Sequence, residues 1–116
     1  MKLKAKKSDF PMSQTIVLGY CELQSLLNHF SPIAYTSGLY GWNANIYQFG
    51  DYYICTGYRP FGKINPDYKT VQKYNKKADE LRKKEYKGTL EQQNNKRKKA
   101  FNALIYKFIQ DVAKAV

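Results

Sequence analysis

The chain has 116 residues, of which 20 are Lys or Arg and nine are Asp or Glu, so its formal net charge is +11. This length suffices for one domain, and a hydrophobic content of 43% with 16% aromatic residues excludes a globally disordered chain. So large a positive excess favours polyanions or acidic protein surfaces as partners.

Residues 1–12 form the first segment of the predicted single domain, a basic arm carrying four lysines: Lys2, Lys4, Lys6 and Lys7. We expect this arm to be flexible unless a partner orders it. Its positive start is not followed by an apolar stretch, so we do not predict a secretion signal. No apolar run approaches the roughly 18 residues of a membrane span. We therefore expect a cytoplasmic protein.

Residues 13–62 are predicted to hold a short N-terminal helix and a β-hairpin. The stretch 15–18 (TIVL) fits either a short strand or the start of a helix, because periodicity cannot decide over so few positions. A helix is predicted from Gly19 or Tyr20 to Phe30, with apolar residues three or four positions apart. Ser31–Pro32 should end it, because proline disfavours a helical residue before it.

The hairpin is predicted within residues 38–62, which carry five of the eleven tyrosines and the single tryptophan. A two-residue turn at Gly50–Asp51 would pair Phe49 with Tyr52 and Asn45 with Thr56. The strand period of two then separates two faces. One carries Ala44, Ile46 and Cys55, and the other carries Tyr47, Phe49 and Ile54. The first helix should cover one face, and the sequence does not say which.

Residues 65–116 are predicted to form two long basic helices. The first begins at Asn65-Pro66-Asp67, with Asn as cap and Pro at the first helical position, and runs to about Lys87 before Gly88 stops it. Residues 89–92 (TLEQ) have the capping-box pattern of a second helix. One continuous bent helix is the alternative. The predicted fold is thus α+β: a short N-terminal helix, a Tyr-rich antiparallel hairpin of two to three strands, and two C-terminal helices.

The basic residues of these helices are the main candidate contact surface. At about 100° per residue, five lysines fall on one side of the first helix: Lys69, Lys73, Lys76, Lys83 and Lys87. The run Lys96, Arg97, Lys98 and Lys99 passes around the second helix, so Arg97 and Lys98 fall near its apolar side. Since burying unpaired charges is costly, this part of the helix should stand clear of the core. The surface suits nucleic acid, and also an acidic protein.

A second candidate surface lies at the hairpin end distant from the turn. It consists of polar and aromatic residues: Trp42, Asn43, Asn45, Thr56, Tyr58 and Arg59. Arg59 over Trp42 fits a structural cation–π pair, or a surface on which a nucleobase stacks.

The sequence predicts no catalytic, metal or cofactor site. His29, Cys21 and Cys55 are too few and too irregularly spaced for a zinc site, and both cysteines are expected to be buried and reduced. No paired-carboxylate pattern or phosphate-binding loop is present. We therefore expect a protein that is not an enzyme.

The first half of the chain resembles small, largely uncharacterised proteins from phages and mobile elements of Gram-positive bacteria. The pattern ELQxLL…AYxxGxYGWNxDxY…TGYRxxG is matched at positions that include Glu22, Gly41, Trp42 and Arg59, with Asn45 where the pattern has Asp. The resemblance implies a mobile-element setting, hence the host cell cytoplasm, and no established activity. Small proteins of that setting often inhibit host defences, anti-CRISPR proteins among them.

The sequence therefore predicts a non-enzymatic accessory protein that binds nucleic acid, or a nucleic-acid-handling host protein, through its basic helical surface. In its most concrete form it is an anti-CRISPR-type inhibitor of a host defence nuclease. The alternative is a protein–protein interaction or oligomerisation module that grips an acidic partner.

Overall fold

The structure is a computed structural model that describes residues 3–4, 11–19, 21–37, 43–57 and 64–114. It is a mixed α+β chain with its long helices at the C-terminus, as predicted. The elements follow in this order: β1 (Leu3–Lys4), a 3₁₀ turn (Met12–Gln14), β2 (Thr15–Leu18), α1 (Gln24–Leu27), β3 (Ala34–Ser37), β4 (Asn43–Phe49), β5 (Tyr52–Thr56), α2 (Tyr68–Lys83) and α3 (Leu90–Lys114).

The strands form one sheet in the order β1-β3-β4-β5-β2. The strands β3, β4 and β5 are antiparallel to one another, whereas the outer strands β1 and β2 pair parallel with their neighbours. The prediction of a hairpin with two to three strands was therefore wrong. The described part of the chain contains four strands of at least four residues, with two-residue β1 at one edge. Residues 15–18 take the strand alternative, and β1 lies within the segment predicted as a flexible arm.

The hairpin register agrees with the prediction. Phe49 pairs with Tyr52 and Asn45 with Thr56. Gly50 has a φ of 60°. Among the described residues other than glycine, a positive φ is found only at Leu23, so the φ of Asp51 is negative. Asp51 is therefore in an ordinary conformation, and the turn needs its glycine at the first central position, as in type II′ hairpins.

The helices cover the sheet face that carries Tyr47, Phe49 and Ile54. These side chains belong to one apolar cluster with buried residues of β2, α1, α2 and α3. Phe49 makes edge-to-face contacts with Phe30, at a ring-centroid distance of 5.0 Å, and with Tyr106, at 6.1 Å. The opposite face carries a separate small cluster: Ala34, Ala44, Ile46 and Cys55.

The N-terminal helix is much shorter than predicted. In place of a helix from Gly19 or Tyr20 to Phe30, α1 spans only Gln24–Leu27. Leu23 has left-handed φ and ψ angles of 53° and 26°, which a continuing α-helix cannot include. Its amide donates to Asn75 Oδ1 on α2 at 2.7 Å. A tertiary hydrogen bond thus replaces the helical bond expected from the spacing.

The C-terminal region contains two separate helices, so the bent-helix alternative was wrong. Asp67, rather than Asn65, caps α2, because its Oδ1 accepts from the Thr70 amide at 2.7 Å. The capping box of α3 is confirmed. The Thr89 amide donates to Gln92 Oε1 at 3.0 Å, and the Gln92 amide donates to Thr89 Oγ1 at 3.2 Å.

Two contacts fix α2 against the first half of the chain. Ile64, just before α2, is bridged to β2, since its carbonyl accepts from the Val17 amide at 2.8 Å. The Ser25 hydroxyl donates to Asp79 Oδ1 on α2 at 2.7 Å, next to the hydrogen bond between Leu23 and Asn75. These contacts set which side of α2 faces solvent.

We expect Asn75→Ala to destabilise the fold by about 1–3 kcal/mol, because the Leu23 amide would lose its acceptor beside a fully buried side chain. Urea unfolding followed by circular dichroism measures the loss. Gln72→Ala, on an exposed α2 position one turn earlier, is the matched control and should change stability by less than about 0.5 kcal/mol. Equal effects of the two substitutions would contradict this role of Asn75.

Candidate polyanion-binding surface

Helix α2 buries one apolar side and exposes lysines on the other. Val71, Tyr74 and Ala78 are buried. Four of the five lysines predicted for the opposite side lie exposed on α2: Lys69, Lys73, Lys76 and Lys83.

The fifth predicted member, Lys87, is not on that side of the helix. Because α2 ends at Lys83, Lys87 lies in the connection to α3. Its carbonyl accepts a hydrogen bond from Lys96 Nζ at 2.9 Å. The predicted position of Lys87 on the lysine side of α2 was therefore wrong, and Lys87 belongs with the basic run of α3.

Acidic residues do little to neutralise these helices. Residues 64–114 contain fourteen basic and six acidic residues. Within the described ranges the one ion pair is Arg82 with Asp79, at 4.0 Å and with both side chains about half exposed. Such a pair contributes little to stability in water. No other described cation forms an ion pair within 4.0 Å, so carboxylates leave most of the positive charge of these helices unneutralised.

Cationic side chains from the connection between α2 and α3, and from α3 itself, contact the ring of Tyr86. Lys84 Nζ lies 5.6 Å from its ring centroid, and Arg97 Cζ lies 5.3 Å from it. Both distances fall within the range of cation–π attraction. With the bond between Lys96 and Lys87, these contacts bring four cationic residues together. We call Lys84, Lys87, Lys96 and Arg97, with Tyr86, the Tyr86 cluster.

The cluster also contains polar atoms without partners. The Tyr86 hydroxyl and Arg97 Nε are both buried, and neither has a hydrogen-bond partner among the described residues. Both can donate a hydrogen bond. A buried donor without an acceptor costs free energy, so an anion that reached these groups would relieve that cost.

The rest of the basic run continues this surface along α3. Lys96, Lys98 and Lys99 are exposed, and Arg97 is half-buried against Tyr86. The buried residues of α3 begin only at Phe101. The first turns of α3 thus stand clear of the core, as predicted.

A small cleft opens beside Lys98, between α3 and the turn after α1. Its volume is 210 Å³, and it is lined by His29, Phe30, Lys98, Phe101 and Asn102. His29 stacks on Phe101 with a centroid distance of 3.9 Å and an interplanar angle of 19°. Partial burial, and secondarily the positive charge of Arg97, lower the pKa of His29 below its usual value. The neutral form of the ring is thereby favoured.

Half of the second predicted surface lies outside the described residues, which omit Trp42, Tyr58 and Arg59. Asn43 begins β4, and Asn45 is half-buried. Thr56 has an exposure of only 8%, and its hydroxyl donates to the Asn45 carbonyl at 3.4 Å. Thr56 was therefore wrongly assigned to an exposed surface, because it lies on the sheet face that the helices cover.

The two cysteines differ in their surroundings. Cys55 is fully buried, as predicted, whereas Cys21 is exposed, contrary to the prediction. Across the ranges that the structure describes, no three His, Cys, Asp or Glu residues are grouped as a metal site requires. In the same ranges, no helix has the length and apolar character needed to cross a membrane.

Sequence reasoning missed Lys84, Tyr86 and the stack of His29 on Phe101. The sequence feature that could have indicated Lys84 and Tyr86 is Gly88 followed by the capping box, because a helix break at Gly88 turns the chain back on itself. Nothing in the local sequence indicates that His29 contacts Phe101, because the two lie 72 positions apart on different elements.

No protein-family profile matches the chain, nor does any curated protein or solved structure match it significantly.

A hydrogen bond between Tyr74 and Asp111 also joins α2 to α3. The Tyr74 hydroxyl donates a hydrogen bond to Asp111 Oδ2. That bond lowers the pKa of Asp111, with help from the charges of Lys73, Lys107 and Lys114. Burial, and then the same hydrogen bond, raise the pKa of Tyr74.

We expect Asp111→Asn to destabilise the fold at about pH 6 and to have little effect at about pH 2. Because the pKa of Asp111 is lower in the folded than in the unfolded chain, its stabilisation is present above the unfolded pKa of about 4. It is lost as the pH falls through the folded-state pKa. Urea unfolding at the two pH values measures the difference.

Tyr74→Phe is the control for the partner of Asp111. It should reproduce only part of the pH-dependent effect, because the charges of Lys73, Lys107 and Lys114 still lower the pKa of Asp111. The double variant should show no pH-dependent loss beyond that of Asp111→Asn. A stability difference between wild type and Asp111→Asn that is the same at both pH values would contradict the role of this carboxylate.

Proposed function

We propose that this protein acts by binding rather than by catalysis, and that its basic helical surface engages nucleic acid or a nucleic-acid-handling host protein. The observation that carries the proposal is the Tyr86 cluster. It places Lys84 and Arg97 over one ring and Lys96 against the Lys87 carbonyl. Backbone phosphates are the ligands that such grouped lysines and arginines neutralise.

The position of the cluster supports an extended ligand. It lies where the connection after α2 meets the first turns of α3, and exposed Lys98 and Lys99 continue it. Residues 96–99 pass around the helix, so their positive charge extends from Tyr86 to the neighbouring sides of α3. A polymer with regularly spaced negative charges can contact several of these residues at once, whereas a single small anion can contact only part of them.

The larger groove beside α2 suits a polyanion less well. It has a volume of 520 Å³ and is lined by two lysines, but also by Asp79 and Glu80. Carboxylates in the wall repel phosphate. For this reason we assign the contact to the Tyr86 cluster and residues 96–99. The exposed lysines of α2 have the auxiliary role of attracting the ligand from a distance.

In its most concrete form the proposal is an anti-CRISPR-type inhibitor of a host defence nuclease. The setting comes from the resemblance of residues 22–62 to phage and mobile-element proteins, and the mode of action comes from the charge. A basic surface of this kind can occupy the groove in which a nuclease holds nucleic acid only if acidic groups line that groove. Otherwise it acts by binding the nucleic acid itself.

We expect Lys98→Gln with Lys99→Gln to weaken binding of a fluorescein-labelled oligonucleotide roughly 30-fold at 0.1 M salt. Counterion release gives about a five- to eightfold factor for each lost phosphate contact. Fluorescence anisotropy measures the affinity. The matched control is Lys107→Gln with Lys114→Gln, which removes the same charge from exposed positions farther along α3.

Equal weakening by both pairs would show that only net charge matters, and would contradict the assigned surface. If the wild type binds neither single-stranded nor duplex DNA or RNA, the direct nucleic-acid form of the proposal fails. Binding to an acidic protein, or self-association, would then take its place, and light scattering over a concentration series tests self-association.

A cleavage assay tests the inhibitor form. We expect the wild type to slow cleavage of a target plasmid by a purified Cas9-type nuclease with its guide RNA, and the Lys98/Lys99 double variant to slow it less. Full cleavage at saturating wild-type protein would contradict inhibition of that nuclease.

A further inference from the structure

His29 presents an aromatic ring to solvent within a cleft that is otherwise partly basic. One face of the imidazole is covered by Phe101, at 3.9 Å between ring centroids. The residue is nevertheless exposed. The accessible part of the ring is therefore its opposite face and its edge. Since Phe101 is fully buried, the ring it supports is held against the core.

The surroundings of the ring match the parts of a nucleotide. Lys98 lines the same cleft, and Asn102 supplies an amide that can both donate and accept hydrogen bonds. Arg97 is close enough for its charge to act on His29, and it belongs to the Tyr86 cluster. A flat ring, a hydrogen-bonding amide and cations thus adjoin one another on one side of α3.

The size of the cleft limits what it can hold. At 210 Å³ it is smaller than the roughly 300–1,000 Å³ typical of pockets for cofactors and drug-sized ligands. A single planar ring fits better than a whole cofactor. Such a ring must reach the cleft unstacked, which a base inside a duplex cannot do without flipping out.

We propose that the His29 cleft is a base-stacking site for single-stranded nucleic acid, with one base on the free face of His29 and the adjoining phosphate near Lys98. This rests on the proposed function and makes it more specific. The Tyr86 cluster binds any nucleic-acid backbone, and the His29 cleft favours strands whose bases are unpaired. Stacking on an aromatic ring is tolerant of base identity.

The test compares His29→Ala and His29→Phe on an oligoadenylate of about eight nucleotides and on a duplex of the same length. We expect His29→Ala to weaken single-strand binding about 5- to 100-fold, the range that loss of one stacked base produces. Duplex binding should change less than about twofold, since Lys84, Lys96 and Arg97 remain. His29→Phe keeps a stacking ring and should retain single-strand affinity within about twofold.

A second measurement needs no substitution. His29 is the only histidine in the chain, so its ring protons give isolated NMR signals. Titrating the wild type with the oligoadenylate should move these signals upfield by the ring current of a stacked adenine. The duplex should move them much less.

The outcomes separate the two proposals. If the wild type binds neither nucleic acid, the direct nucleic-acid form of the proposed function fails, and the stacking site fails with it. If it binds both equally, with unmoved His29 signals and no effect of His29→Ala, the stacking site is overturned and the proposed function stands. Equal loss in the folded Ala and Phe variants also overturns stacking, because a ring alone would then not suffice.

Discussion

The hydrogen bond from the Leu23 amide to Asn75 Oδ1 connects the two halves of the chain. Forming it requires Leu23 to adopt a left-handed conformation, and this conformation ends any helix from residue 19 onward. In return, Leu23, Leu26 and Leu27 are buried against α2. The position of α2, and hence the direction in which its lysines point, depends on this contact and on the bridge at Ile64.

Because α2 and α3 bury their apolar sides, their charged residues must lie on the remaining, exposed sides. The lysines lie on the exposed sides, where like charges one turn apart destabilise each other by a few tenths of a kcal/mol per pair. At the Tyr86 cluster the repulsion is partly offset by the tyrosine ring and by the Lys87 carbonyl. An anion bound to the folded chain would offset more of it and would stabilise the fold by mass action.

The elements that were predicted well are those specified by local chemistry. The turn at Gly50, the pairing of Phe49 with Tyr52 and the capping box at Thr89 each depend on residues a few positions apart. The misses depend on contacts distant in sequence. The parallel pairing of β2 with β5, and the bond that cuts α1 short, involve partners that lie 38 and 52 positions apart. No periodicity can reveal such partners.

The candidate site shows the same division. The exposed lysines of α2 followed from helical spacing and the burial of Tyr74. The grouping of Lys84, Lys96 and Arg97 around Tyr86, and the stack of His29 on Phe101, needed the angle between the two helices and the place where α1 docks. Thr56 was misplaced for a related reason, because the alternation of the strand gives two faces without saying which one the helices cover.

The central claim is that cations grouped at the start of α3 bind the phosphate backbone. The most direct test is the salt dependence of wild-type binding to a single-stranded oligonucleotide, measured by anisotropy from about 0.05 to 0.3 M NaCl. The six cationic residues of the Tyr86 cluster and of positions 96–99 predict a slope of log Kobs against log[NaCl] of roughly −4, at about 0.7 per phosphate contact on single strands. A slope near zero, or no binding at the lowest salt, would contradict the account.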